Sequence, residues 1–211
     1  IPMLSKHQIV NWLLDCEHIF TEQRDYLTAL DTDIGDGDHG LNMQRGFTKV
    51  AEKLPAVADK DIGQVLKTTG MTLLSSVGGA SGPLYGTFFI RAAASSDACQ
   101  SLTLGQLGKM LSDGVEGIVL RGRAEPGDKT MCDAWWPALA ALQQAEQQGL
   151  PLPEALDKAV AAAAAGTEAT IQMQARKGRA SYLGERSIGH QDAGATSTLL
   201  LLTALRDRAR L

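Results

Sequence analysis

Between positions 31 and 42 the chain reads Asp-Thr-Asp-Ile-Gly-Asp-Gly-Asp-His-Gly-Leu-Asn. Asp31, Asp33, Asp36 and Asp38 crowd four carboxylates into eight positions, with Gly35, Gly37 and Gly40 among them and His39 alongside. Like charges this close repel, and a folded chain tolerates them when a cation neutralises the cluster. Carboxylate oxygens are hard donors that suit Mg²⁺ or Ca²⁺. The glycines let the backbone bend until the carboxylates converge. The bland alternative is an acidic loop in solvent. A calcium EF-hand is excluded, because its sixth and twelfth positions need glycine and glutamate. Counted from Asp31, those positions hold Asp36 and Asn42. An aspartyl-phosphate phosphatase is excluded too: its acidic pair follows a hydrophobic strand, whereas Thr21 to Leu30 is patterned as helix.

A second segment, Ser75-Ser76-Val77-Gly78-Gly79-Ala80-Ser81-Gly82-Pro83, sets small residues ahead of a helix. Free backbone N–H groups at a helix start, and the helix dipole, both favour an anion such as phosphate. Such a stretch can equally be a plain turn. The chain has no Gly-x-x-x-x-Gly-Lys-Ser/Thr motif and no Gly-x-Gly-x-x-Gly after a strand. Any nucleotide is therefore not held by a P-loop or a Rossmann fold. A third segment, Arg121 to Met131, mixes charges with Gly122, Pro126 and Gly127. A solvated loop is the default for it, although the Met131 thioether would pack well on a flat ring. The fourth, Arg176 to Asp192, carries Arg176, Lys177, Arg179, Arg186 and His190 between glycines, in a chain of net charge -4. Long irregular loops are usually functional or disordered, and a lid that brings an arginine to phosphate fits this one.

The elements that must position these segments are helical. Apolar residues recur at helical spacing in eight stretches: Ser5 to Leu30, Met43 to Leu54, Asp61 to Leu73, Leu84 to Ser95, Leu104 to Ile118, Asp133 to Gln148, Pro153 to Gln174 and Ala193 to Arg210. No stretch alternates apolar and polar residues for long, so no strand is expected. The connections fall into two sets. Pro55 to Lys60, Cys99 to Ser101 and Gly149 to Leu152 are plain; the other four are the segments described above. In an antiparallel up-and-down bundle, alternate connections lie at one end. All four chemical segments should therefore meet at one end. No repeat or linker divides the chain, so residues 1–211 are expected to form a single domain.

Bulk properties agree. A net charge of -4 and a pI near 5.6 leave no basic face for nucleic acid. Cys16, Cys99 and Cys132 are widely spaced and form no Cys-x-x-Cys pair, which argues against a zinc site and for reduced thiols in a cytoplasm. No apolar run is long enough to span a bilayer.

Taken together, Gly35 to Asn42, Ser75 to Gly82, Gly127 to Met131 and Gly178 to Arg186 resemble the nucleotide-binding L-type subunits of dihydroxyacetone kinases, from about Gln8 to the last helix. The resemblance implies an all-α antiparallel barrel of about eight helices with its active site at one end. It implies that Asp31, Asp36 and Asp38 bind two Mg²⁺ ions, and that His39, Gly40, Leu41, Asn42, Ala80, Ser81, Gly122, Met131, Arg179, Asp192, Ala193 and Gly194 contact ADP or ATP, with Arg179 catalytic. A free-standing chain of this kind resembles the phosphotransferase-system type. There ADP stays bound as a coenzyme, a phosphohistidine on an M subunit phosphorylates it, and the ATP formed phosphorylates dihydroxyacetone on a K subunit. Such a subunit would be cytoplasmic, free of nucleic acid and membrane, and compatible with a homodimer. Two other readings compete: an ATP-dependent kinase half with exchanging nucleotide, and a non-catalytic helical regulator whose acidic loop binds metal.

Overall fold

The computed structural model describes residues 3–76 and 78–211. Ile1, Pro2 and Val77, the last within the expected anion-binding segment, lie outside the described residues. Nine α-helices stand among those described: α1 (Lys6–Glu22), α2 (Arg24–Ile34), α3 (His39–Lys53), α4 (Ile62–Ser76), α5 (Ser81–Ser95), α6 (Leu104–Gly122), α7 (Cys132–Gln147), α8 (Leu152–Ala169) and α9 (Ala193–Ala209). Short 3₁₀ segments cover Leu54–Ala56, Thr170–Gln172 and Arg179–Ser187.

Eight of the helices close a ring. Beginning at α1, each packs on the next in the order α3, α4, α5, α6, α7, α8 and α9, and α9 returns to α1. The ninth, α2, lies outside this sequence and packs on α3 and α9. The eight-helix expectation holds for the ring, but its first helix is two. The chain breaks at Gln23 (φ -95°, ψ 6°), which no residue type at that point announces. The cause is tertiary: by turning there, α2 buries Leu27 and Ile34. Asp31 and Asp33 consequently sit on the last turn and a half of α2, not in a loop, and Gly35 ends the helix. Ser75 and Ser76 likewise finish α4, Ser81 to Pro83 open α5, and Arg121 and Gly122 finish α6. Pro83 is tolerated in the first turn of α5, where no intrahelical N–H donor is needed.

One further departure is a pair of two-residue strands, β1 (Leu4–Ser5) and β2 (Ser101–Leu102), which pair antiparallel with Leu4 opposite Leu102. They are too short for any alternation to register in the sequence. They tie the start of α1 to the start of α6. Both helices begin with reciprocal caps: Ser5 with Gln8, and Thr103 with Gln106.

The inside of the ring is filled by Trp12, Phe20, Phe47, Tyr85, Phe88, Phe89 and Trp135, all fully buried. Phe88 stacks on Trp135 at 4.7 Å between centroids and meets Phe89 edge-on at 4.9 Å. Trp12 donates its indole N–H to the Leu201 carbonyl at 3.0 Å, which ties α1 to α9 where the ring closes. Gly70 and Gly86 let α4 and α5 approach closely; a Cβ on Gly70 would lie 2.8 Å from the Gly86 carbonyl oxygen. No helix among the described residues is long and apolar enough to cross a membrane.

Candidate functional site

The turn from α2 into α3 is held by Asp31. Its Oδ2 accepts the backbone N–H of Asp38 at 2.9 Å and of His39 at 3.2 Å. That leaves Asp36 and Asp38 projecting from a tight turn in which Gly37 takes a left-handed φ of 74°. Gly40 is pressed on α2; a Cβ there would overlap the Arg24 carbonyl. The turn faces a cavity of about 380 Å³ that all four chemical segments line. Asp31, Asp36, Asp38, His39 and Asn42 come from the first. Ala80 and Ser81 come from the second, Met131 from the third, and Arg179, Asp192, Ala193 and Gly194 from the fourth.

Hydrogen bonds join the segments across the cavity floor. His39 Nδ1 bonds with Ser81 Oγ at 3.0 Å and His39 Nε2 with Ser197 Oγ at 2.9 Å. Tyr85 continues the network to Ser197 at 2.7 Å and Thr198 at 2.9 Å. Burial lowers the His39 pKa to about 4, against the pull of Asp31 and Asp38, so the imidazole is neutral near pH 7. Asn42 reaches the Gly78 carbonyl at 3.5 Å. Asp192 caps α9 by accepting the Ala195 N–H at 2.8 Å. Three backbone N–H groups of the third segment donate to the Asp133 carboxylate in the first turn of α7, those of Gly127 at 2.8 Å and of Lys129 and Thr130 at 3.0 Å. This fixes the turn that carries Met131.

Electrostatically the cavity is two-sided. Carboxylates stand on one side. On the other, α5 begins with no side-chain cap. An anion held by helix starts and a cation held by carboxylates can share such a space. Arg179 sits on the carboxylate side: its Nε lies 2.6 Å from Asp36 Oδ1. The guanidinium side chain is 74% exposed, so the pair contributes little to stability. As the side chains stand, no three acidic, histidine or cysteine groups among the described residues are placed to hold one ion.

Three expected residues are placed differently. Gly122 lines a second, more apolar recess of about 360 Å³ with Leu84, Ile118 and Met131, and this recess adjoins the first through Ala80, Leu84 and Met131. Gly40 is buried under α2 and does not line the cavity, and Leu41 is 45% exposed beside it. Asp33 points elsewhere, with its Oδ2 at 3.6 Å from His190 Nδ1. The sequence reading missed Lys129 and Lys177, both of which line the cavity. Lys177 is named there only as part of the basic loop, and Lys129 only as a member of the Gly127 to Met131 stretch.

The DAK2 domain model matches residues 33–207. The chain is 63% identical to the ADP-binding subunit DhaL of the PEP-dependent dihydroxyacetone kinase of Escherichia coli (strain K12), over 96% of each chain. It is 40% identical to the ADP-binding subunit DhaL of the PTS-dependent dihydroxyacetone kinase of Lactococcus lactis, over 96% of this chain and 97% of that one. Among solved structures it is similar to the dihydroxyacetone kinase of C. freundii in complex with AMP-PNP and Mg²⁺. That match has a TM-score of 0.70 at 25% identity, over 94% of this chain and 33% of that one. The family model and these identities agree, and the chain belongs to the DAK2 domain family.

Proposed function

We propose that the chain is the ADP-binding subunit of a dihydroxyacetone kinase and works as a phosphoryl carrier. The observation that carries this is the convergence of four segments, spread from Asp31 to Gly194, on one two-sided cavity. The uncapped start of α5 suits the phosphates. The apolar recess of Leu84, Ile118, Gly122 and Met131 suits the base, with the Met131 thioether against the ring. The relatives named above as ADP-binding subunits support this reading.

Asp31, Asp36 and Asp38 would hold two Mg²⁺ ions, which when bound neutralise phosphate charge. Their hard oxygens fit that role. Arg179 on Asp36 supports it, because the chain itself brings a cation to this carboxylate. For Asp36 Oδ1 to ligate metal, Arg179 would move off it, toward the bound phosphates. The guanidinium would then stabilise charge on the group in transit. In the first transfer the N–P bond of a phosphohistidine on an M-type partner breaks as an O–P bond forms on the β-phosphate of ADP. In the second, the terminal O–P bond breaks as the hydroxyl oxygen of dihydroxyacetone on a K-type partner takes the phosphoryl group and loses its proton. The proposed setting is the cytoplasm.

The test is mass spectrometry of the denatured purified protein, followed by a transfer assay with K-type and M-type partners. The expected result is about one ADP per chain and dihydroxyacetone phosphate formed without added ATP. A chain that carries no ADP and binds none when Mg-ADP is added would overturn the proposal.

A further inference from the structure

We propose that Lys129 is a positioning residue that clasps both feet of the basic loop and so sets where Arg179 and Asp192 stand. Lys129 is 3% exposed. Lysine is seldom buried so deeply without partners. Its ammonium donates to two backbone carbonyls, those of Thr170 and His190. These two residues bracket the loop on either side.

The same two feet are zipped by the backbone. The Gly189 N–H donates to the Ile171 carbonyl at 2.7 Å, and one level further out the Ala175 N–H donates to Ser187 Oγ at 2.9 Å. A third tie joins the loop to the segment that carries Lys129, from the Arg176 N–H to the Asp128 carbonyl at 3.0 Å. The loop is therefore a closed unit on a narrow base, with Arg179 at its free end and Asp192 two residues beyond its far foot. Asp192 is held at that foot as well, since its N–H donates to Thr170 Oγ1 at 3.0 Å.

The conformation of Lys129 shows that it is placed, not merely accommodated. Its φ is 67°, a left-handed value uncommon for a residue with a side chain. The Asp133 carboxylate imposes it by accepting the N–H groups of Lys129 and Thr130. Such conformations persist where the surroundings over-determine them. Here the outcome is that a side chain from the third segment reaches both ends of the fourth. Its consequence for nucleotide rests on the function proposed above; the clasp itself does not.

The test uses Lys129→Met, which keeps an unbranched side chain one atom shorter and removes the charge and donors. Hydrogen exchange of the nucleotide-free protein should be about tenfold faster in peptides covering residues 171–190, with α5 and α7 unchanged. Unchanged protection of that loop would overturn the proposal. If exchange rises everywhere because the variant is globally weakened, the wild-type protein decides. Nitrogen-15 NMR selective for lysine ammonium groups should then show the Lys129 protons shielded from solvent exchange. An ammonium that exchanges as fast as exposed lysines would overturn the clasp. In the same variant, Mg-ADP should leave about tenfold faster than from wild type. A wild-type chain that binds no Mg-ADP would defeat the proposed function and leave the exchange result standing.

Discussion

The two ends of the helical ring solve the same problem in opposite ways. Every helix start exposes backbone N–H groups that need partners. At the plain end the chain supplies them itself. Capping boxes close α1 at Ser5 and α6 at Thr103, a two-residue ladder ties these starts together, and Pro153 sits in the first turn of α8. At the chemical end Asp192 caps α9 and Asp31 takes the first N–H of α3, but α5 begins without a side-chain cap, and Asp36 and Asp38 line the same cavity. Left-handed backbone gathers there as well, at Gly37, Gly79, Gly127, Lys129 and Gly178. The difference teaches that the plain end is finished by the fold, while the chemical end leaves the start of α5 open for the anion proposed above.

The sharpest way to break this contrast is to invert a charge at the chemical end. Arg179→Glu should lower phosphoryl transfer by on the order of a hundredfold or more, because repulsion replaces attraction at the phosphate. Arg186→Glu, in the same loop, should have a far smaller effect in the same assay. Equal and mild losses from both would mean that the loop only steers a partner by net charge.

A second prediction concerns stability against pH. Burial raises the Asp192 carboxyl from 3.8 to about 6, although the Ala195 N–H and Lys129 favour its anion. A folded-state value above the unfolded one means that the folded chain holds the proton more tightly. Asp192 therefore weighs against folding as pH rises from about 4 through about 6, by about 2 to 3 kcal/mol once fully ionised. Asp192→Asn, which can still cap α9, should remove that slope. Denaturant midpoints of wild type and variant should diverge between these two pH values in the variant's favour. Parallel curves would show that Asp192 is not ionised against its surroundings.

The smallest expected effect lies at the plain end. Thr103→Ala should cost about 1 kcal/mol of stability, as loss of a helix cap does. Nucleotide affinity should not change. A binding defect from this substitution would erase the distinction between the two ends.

How much of this was legible in the sequence follows from the range of the interactions involved. The chemical segments were legible because their signals are local: carboxylates among glycines, small residues before a helix, a basic loop in an acidic chain. Their meeting at one end followed from counting helices. The break at Gln23 was not legible, because it is set by where α2 packs and not by any residue there. It moved Asp31 from an expected loop to a helix end, where its carboxylate organises the turn. Lys129 was missed because its partners lie 41 and 61 positions further along the chain, and both are backbone carbonyls that leave no trace in residue type. Gly40 was expected at the ligand by position, yet its role in the structure is to let α3 lie against α2.

The most direct test of the central claim is calorimetric titration of ADP into nucleotide-free protein, with and without Mg²⁺, for wild type, Asp36→Asn and Asp33→Asn. The account predicts that Mg²⁺ tightens ADP binding at least tenfold in wild type and in Asp33→Asn, and that Asp36→Asn loses most of this gain. Equal ADP affinity in all three proteins, with or without Mg²⁺, would contradict it.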